Sequence, residues 1–204
     1  SIAAPTFAEG YQNGSDCILR CTKFGRIPFV VYKILALFFI IILYYLVCML
    51  IQIGILNYNF GLECLNTSIQ MLFSAVGLVS LNLGQLQVAV VLGGLLSILC
   101  TVALTLFISA KARTSLTAIL ISVVTALLPT IVYAVVGTSW LVYILPSSGI
   151  GMQNSLLYQL VDINFLPMGN AGVWTPYMII GGAVVELIVF LMLSVYSYCR
   201  HRVG

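Results

Sequence analysis

Long, uninterrupted apolar stretches alternate with short polar segments along this chain. A hydrocarbon core about 30 Å thick requires roughly 20 apolar residues in helical form. These stretches are continuous and do not alternate residue by residue, which favours helices over a β-barrel. The pattern predicts four transmembrane helices at about 28–53, 88–110, 116–136 and 177–198.

Two further stretches, 65–83 and 140–160, are apolar enough to compete as spans, but polar residues, glycine and proline interrupt them. Making the first a span would reverse the next helix and place Lys111 and Arg113 outside. We therefore predict that both are outer-side interfacial or re-entrant helices, within outer loops 54–87 and 137–176. A six-span chain is the alternative.

The composition fits this interpretation: hydrophobic residues make up 62% of the chain and charged residues only 6%. So little charge cannot hydrate the surface of a soluble globule. The chain is therefore predicted to be an all-α integral membrane protein, and soluble enzymes, nucleic-acid binders and disordered chains are excluded.

All eight basic residues fall on one side of the four-span arrangement. They are Arg20, Lys23, Arg26, Lys33, Lys111, Arg113, Arg200 and Arg202. The positive-inside rule makes that side cytoplasmic. We expect a multi-pass protein of the cell membrane, with a cytoplasmic lead-in at 1–27, a transmembrane domain at 28–204 and a cytoplasmic C-terminus. Because the chain does not begin with Met, we also expect it to be a fragment that lacks upstream spans.

Catalysis by this chain is not expected. A P-loop requires a Gly-Lys pair to hold phosphates, and the sequence contains none. A zinc-protease helix requires two histidines, whereas His201 is the only one. The two aspartates, Asp16 and Asp162, lie on opposite sides of the predicted membrane. Cys17 and Cys21 have no further Cys or His nearby to complete a metal site, so we expect neither metal nor cofactor.

Glu186 is the most unusual single residue, since it falls near the middle of the last span. A carboxylate there costs about 2.5–3.5 kcal/mol on insertion scales, and such residues often mark functional sites. The alternative is structural: a protonated glutamic acid that is hydrogen-bonded to a hydroxyl group of another span. The candidate partners are Thr101, Thr105, Ser122 and Thr125.

The lead-in contains a predicted helix of about two turns between Ser15 and Gly25. Ser15 suits the N-cap, Asp16 the first turn, and Gly25 the position after the last turn. Apolar residues beside these charges allow two interpretations. The segment is either an ordinary helix on the membrane surface or a docking element for a cytoplasmic partner.

Several short motifs resemble the exporter-type (type-2) permease subunits of ABC transporters. The lead-in has Glu9, Gly14, Leu19-Arg20-Cys21-Thr22 and Gly25-Arg26, followed by Lys33 at the start of a span. Leu81–Gln85, Ala103–Leu106, Ser109–Lys111 and Leu145–Ser147 are also similar to that family. This chain differs in having four spans where the family usually has six, and Gly10 where many members have a second acidic residue.

The resemblance implies a transport subunit that works with two copies of a separate P-loop ATPase and with a second permease copy or homologue. ATP and Mg would be bound by the ATPase, not by this chain. Coupling to the ATPase would involve the lead-in. The residues implied are Phe7, Glu9, Gly14, Asp16, Leu19, Arg20, Thr22, Gly25 and Arg26. Two other functions remain open: a substrate-binding subunit of a vitamin-type uptake system, and a non-transporting scaffold or sensor.

Overall fold

The computed structural model describes residues 3–13, 27–72, 79–112, 114–137, 139–148, 155–161, 164–168 and 171–200. Its helices are α1 (Pro5–Gln12), α2 (Ile27–Phe60), α3 (Ile69–Leu72), α4 (Leu83–Lys111), α5 (Ser115–Val136), α6 (Trp140–Ile144), α7 (Leu156–Val161) and α8 (Thr175–Arg200). A 3₁₀ helix covers Leu62–Asn66, and strands β1 (Phe165–Met168) and β2 (Ala171–Trp174) form a hairpin.

Four helices in this part of the chain, α2, α4, α5 and α8, are long and apolar enough to cross a membrane. The predicted all-α membrane protein with four spans is therefore confirmed. Two ends differ from the prediction, because α2 continues to Phe60 and α4 already begins at Leu83. Polar residues do not stop α2; it ends at Gly61, whose φ of 79° lies outside helical geometry. At the start of α4, the Asn82 N–H donates to Gln85 Oε1 at 3.2 Å.

The segments 65–83 and 140–160 contain only short helices among the residues that the structure describes. This observation supports the four-span arrangement over the six-span alternative. In the first segment, backbone hydrogen bonds join Ile69 to Leu81 and Leu83 to Thr67, so the chain folds back on itself before α4. The hairpin that precedes α8 was not predicted, because its strands are only four residues long each.

The packing centre is the pair α4 and α8, which contact each other more extensively than any other two elements. Glycines allow close approaches around it. The Tyr45 hydroxyl of α2 donates to the Val91 carbonyl at 2.9 Å, and a Cβ on Gly94 would lie 2.5 Å from that hydroxyl oxygen. Gly93 leaves room in the same way for Leu156 of α7. Small residues therefore let the spans pack closely, as is common in membrane proteins.

Proline interrupts the backbone hydrogen bonding of α5 at Pro129, which lies inside that helix. Proline has no N–H to donate, so the carbonyl of Thr125, four residues earlier, loses its helical donor. Ser147, in the turn after α6, donates its hydroxyl to the Ala126 carbonyl at 2.7 Å. Ser147 has a φ of 69°, an uncommon conformation for a residue other than glycine. A residue of the segment between α5 and α8 therefore bonds to a carbonyl in the turn of α5 that precedes the proline.

The structure brings Lys33, Lys111 and Arg200 to one end of the bundle, which we call the basic end. Helix α1 packs there against the ends of α4 and α5. Its Phe7 joins a buried cluster with Val30 of α2 and with two other spans. Those further members include Ile34, Leu106, Ala110 and Tyr198. The other end, which carries the 3₁₀ helix, the short helices α3, α6 and α7, and the hairpin, is the opposite end.

Candidate functional site

Glu186 lies on α8 and faces α4, where the Cys100 thiol donates a hydrogen bond to its Oε2 at 3.1 Å. Cys100 is 1% exposed, and Glu186 is half-buried. The predicted intramembrane polar residue therefore has a specific partner on the neighbouring span. This partner is a thiol and not a hydroxyl group.

The prediction that a hydroxyl group of Thr101, Thr105, Ser122 or Thr125 bonds to Glu186 was wrong, because each of these hydroxyl groups bonds to the backbone of its own helix. Thr101 donates to the carbonyls of Ser97 and Ile98, at 3.0 and 2.8 Å. The other three hydroxyl groups likewise donate to backbone carbonyls three or four residues earlier in the same helix. The accepting carbonyls belong to Val102 for Thr105, to Ala118 for Ser122, and to Ile121 and Ser122 for Thr125. Helical Ser and Thr commonly satisfy themselves by this back-bonding. Cys100 was not among the predicted partners, because a cysteine in an apolar span usually behaves as a small apolar side chain.

The Cys100 thiol can stabilise a charged Glu186 carboxylate only weakly. A thiol is a weak donor, and a single weak hydrogen bond compensates little of the cost of a charge in the membrane. Neither side chain has a cationic partner among the described residues. The Glu186 carboxyl group therefore has one weak hydrogen-bond donor and no ion-pair partner in the part of the chain that the structure describes.

The second candidate site is α1 at the basic end. The first N–H groups of a helix have no partner within the helix and need an acceptor. Here the Ser109 hydroxyl of α4 accepts from the N–H groups of Phe7 and Ala8, at 3.0 and 3.2 Å, across 102 and 101 residues. Ser109 is fully buried. One side chain of a transmembrane helix thus caps a helix from a distant part of the chain.

Aromatic and polar contacts complete the docking of α1. The Phe7 ring lies 5.2 Å from the Tyr198 ring of α8, and the Lys33 ammonium of α2 lies 5.4 Å from the Phe7 ring centre. Ser115 of α5 donates to Gln12 Oε1 at 3.1 Å. Helix α1 therefore contacts all four spanning helices.

Phe7 and Glu9 are the two implied coupling residues that the structure describes, and they point in different directions. Phe7 is 2% exposed and packs within the bundle, whereas the Glu9 side chain is exposed. The others, and the predicted helix of 15–25, lie outside the described residues. They are Gly14, Asp16, Leu19, Arg20, Thr22, Gly25 and Arg26.

Helix α1 itself was not predicted from the sequence. The available signal was Pro5, which occupies the first turn, where its missing N–H costs nothing. That signal is weak on its own, since α1 has only eight residues and no side-chain cap of its own.

The acidic, histidine and cysteine residues do not form another site in the described ranges. No group of three or more that could hold a metal ion occurs there. Cys48, Cys64, Cys100 and Cys199 are all free thiols. Comparison of the chain with protein-family models, curated proteins and solved structures gives no match.

Proposed function

We propose that this chain is the membrane-spanning permease subunit of an ATP-driven ABC exporter. It would move its substrate by alternating access, powered by a separate P-loop ATPase. The observation that carries the proposal is α1, a short helix anchored in the bundle on one face and exposing Glu9 on the other. The lead-in motifs from Glu9 to Arg26 and Lys33 support the same assignment.

Helix α1 is well suited to transmit movement. A partner that engages Glu9 would pull on a helix whose first turn is bonded to Ser109 of α4 and whose Phe7 lies against Tyr198 of α8. The same helix contacts α5 through Gln12 and Ser115. Rigid displacement of a packed helix can therefore shift several spans together, which is how domain movements switch transporters between states.

Charge also favours a protein partner over lipid for the exposed face. An anionic membrane surface attracts basic residues and repels acidic ones. Glu9 would therefore be unfavourable on a helix that merely rests on headgroups. A carboxylate there can instead pair with basic residues of an ATPase groove.

The test is to ask whether a P-loop ATPase is encoded next to this chain, to co-express the two, and to measure complex recovery and the stimulation of ATP hydrolysis by the chain. We expect Glu9→Lys and Leu19→Asp to abolish stimulation while the spans remain folded. Glu63→Lys is the matched control, because Glu63 is also an exposed acid but lies at the opposite end. If Glu9→Lys and Leu19→Asp both keep full stimulation and full complex yield, the coupling assignment is wrong. If no ATPase is recovered with the unaltered chain, the exporter proposal itself fails.

Glu186 would act within the transport path of this proposed permease. We expect Glu186→Gln to reduce transport with normal expression and assembly, because glutamine keeps the volume and hydrogen bonding but cannot ionise. Cys100→Ala is the companion variant, since it removes only the weak thiol donor and should reduce transport less than Glu186→Gln does. Transport by Glu186→Gln at the unaltered rate across pH would make the residue structural.

A further inference from the structure

A cavity of about 400 Å³ lies between α4 and α8 at the basic end. It is separate from the Glu186–Cys100 pair and from the docking face of α1. Its lining residues are Phe107, Lys111, Leu193, Tyr196, Ser197 and Arg200. They combine two cations, two hydroxyl groups and an apolar wall.

The two cations are held in place by aromatic neighbours. The Lys111 ammonium lies 5.0 Å from the centre of the Phe107 ring, one helical turn earlier. Arg200 donates from Nη1 to the Tyr196 hydroxyl at 2.6 Å. Neither cation has an acidic partner among the described residues, and no lining residue is acidic. Two positive charges on one cavity, with no carboxylate beside them in the part of the chain that the structure describes, favour an anion there.

The apolar wall identifies which kind of anion fits. Phe107 and Leu193 precede Lys111 and Arg200 by about one and two helical turns, so they lie deeper in the bundle than the charges. A ligand that fills the cavity therefore needs a negative group at the membrane surface and hydrocarbon below it. A soluble phosphate satisfies only the first requirement, whereas a phospholipid satisfies both.

We propose that this cavity binds the headgroup of an anionic phospholipid. Lys111 and Arg200 would contact the phosphate, Ser197 would donate a hydrogen bond to it, and the first part of an acyl chain would lie against Phe107 and Leu193. Arginine and lysine are the usual partners of phosphate. The proposal concerns lipid recognition alone and does not rest on the exporter assignment.

The experiment is native mass spectrometry of the purified full chain, titrated with phosphatidylglycerol or with phosphatidylcholine of identical acyl chains. We expect one phosphatidylglycerol to be retained preferentially. Each cation near the membrane surface attracts anionic lipid independently. Lys111→Gln or Arg200→Gln should therefore weaken this binding by about fivefold, and both together by about 25-fold. Lys111→Arg should retain binding, because it preserves the charge.

Lys33→Gln is the matched control, since Lys33 lies at the same end but packs over Phe7 and Phe29, away from the cavity. Equal retention of the two lipids, or equal weakening by Lys33→Gln, would overturn the proposal. So would an unchanged affinity in the double variant. Displacement of the lipid by inorganic phosphate alone would assign the cavity to a soluble anion and also overturn it.

Discussion

At the basic end, residues far apart in the chain hold α1 in place, whereas the hairpin at the opposite end is held mainly by neighbouring segments. Phe7 of α1 bonds to Ser109 across 102 residues, and its ring packs on Tyr198. At the opposite end, the buried Thr175 hydroxyl donates to Gln159 Oε1 across 16 residues, at 2.7 Å. The hairpin and the turn before α4 are likewise local.

This difference determines how many helices a structural change at either place affects. A change in α1 alters contacts with all four spanning helices at once, whereas a change in the hairpin first affects one local cluster, formed by the start of α8 with Tyr143 and Leu156. The basic end is therefore the better place to transmit a signal into the membrane. The hairpin can vary with less effect on the packing of the spans.

The largest expected effect is a difference in cysteine labelling between the two ends, because we predict that they lie on opposite sides of the membrane. Cys64 is at the opposite end, and Cys199 is exposed at the basic end. In variants that keep one cysteine each, a membrane-impermeant maleimide added to intact cells should label Cys64 and leave Cys199 unmodified. The positive-inside rule is the physical reason. Permeabilised cells are the control, in which both thiols should react. Labelling of Cys199 in intact cells would reverse the predicted orientation.

A smaller effect is expected from removing the aromatic anchor of α1. Phe7→Ala should lower the free energy of unfolding by about 3 kcal/mol, because it leaves a cavity beside Tyr198. The matched control is Phe165→Ala in the hairpin, where the ring is 50% exposed. That change should cost less than about 1 kcal/mol. Unfolding in detergent, followed by circular dichroism, measures both. Equal losses of unfolding free energy in the two variants would mean that α1 is no more tightly packed than the hairpin.

The smallest effect is expected from removing the Ser109 hydroxyl that caps α1, while the Phe7 ring that anchors α1 stays in place. Ser109→Ala removes the acceptor for the Phe7 and Ala8 N–H groups and should cost about 1–3 kcal/mol, because buried donors lose their partner. Ser194→Ala is the control, since that buried hydroxyl bonds only to Leu191 of its own helix. Limited proteolysis should cleave the lead-in faster in Ser109→Ala than in Ser194→Ala. The same cleavage rate in both would show that Ser109 does not hold α1.

Hydrophobic pattern was sufficient to predict the four spans, because each long apolar helix satisfies its backbone internally and needs no tertiary partner to be recognised. The ends of the spans were less predictable. Helix α2 runs through Asn57 and Asn59 to Phe60, since polar residues beyond the hydrocarbon do not by themselves stop a helix. Glu186 was identified for a similar reason, as a carboxyl group is conspicuous in an apolar run.

Sequence alone therefore determined the class of protein, the number of spans and the presence of an intramembrane carboxyl group, all of which depend on the cost of placing polar groups in lipid. Only the tertiary structure decided which groups meet. Helix α1 depends on Ser109, and the partner of Glu186 is Cys100 and not a hydroxyl group. The cavity that we propose for an anionic headgroup requires Lys111 and Arg200 to converge from two helices. Such contacts depend on the rotation and register of packed helices, which local sequence pattern does not specify.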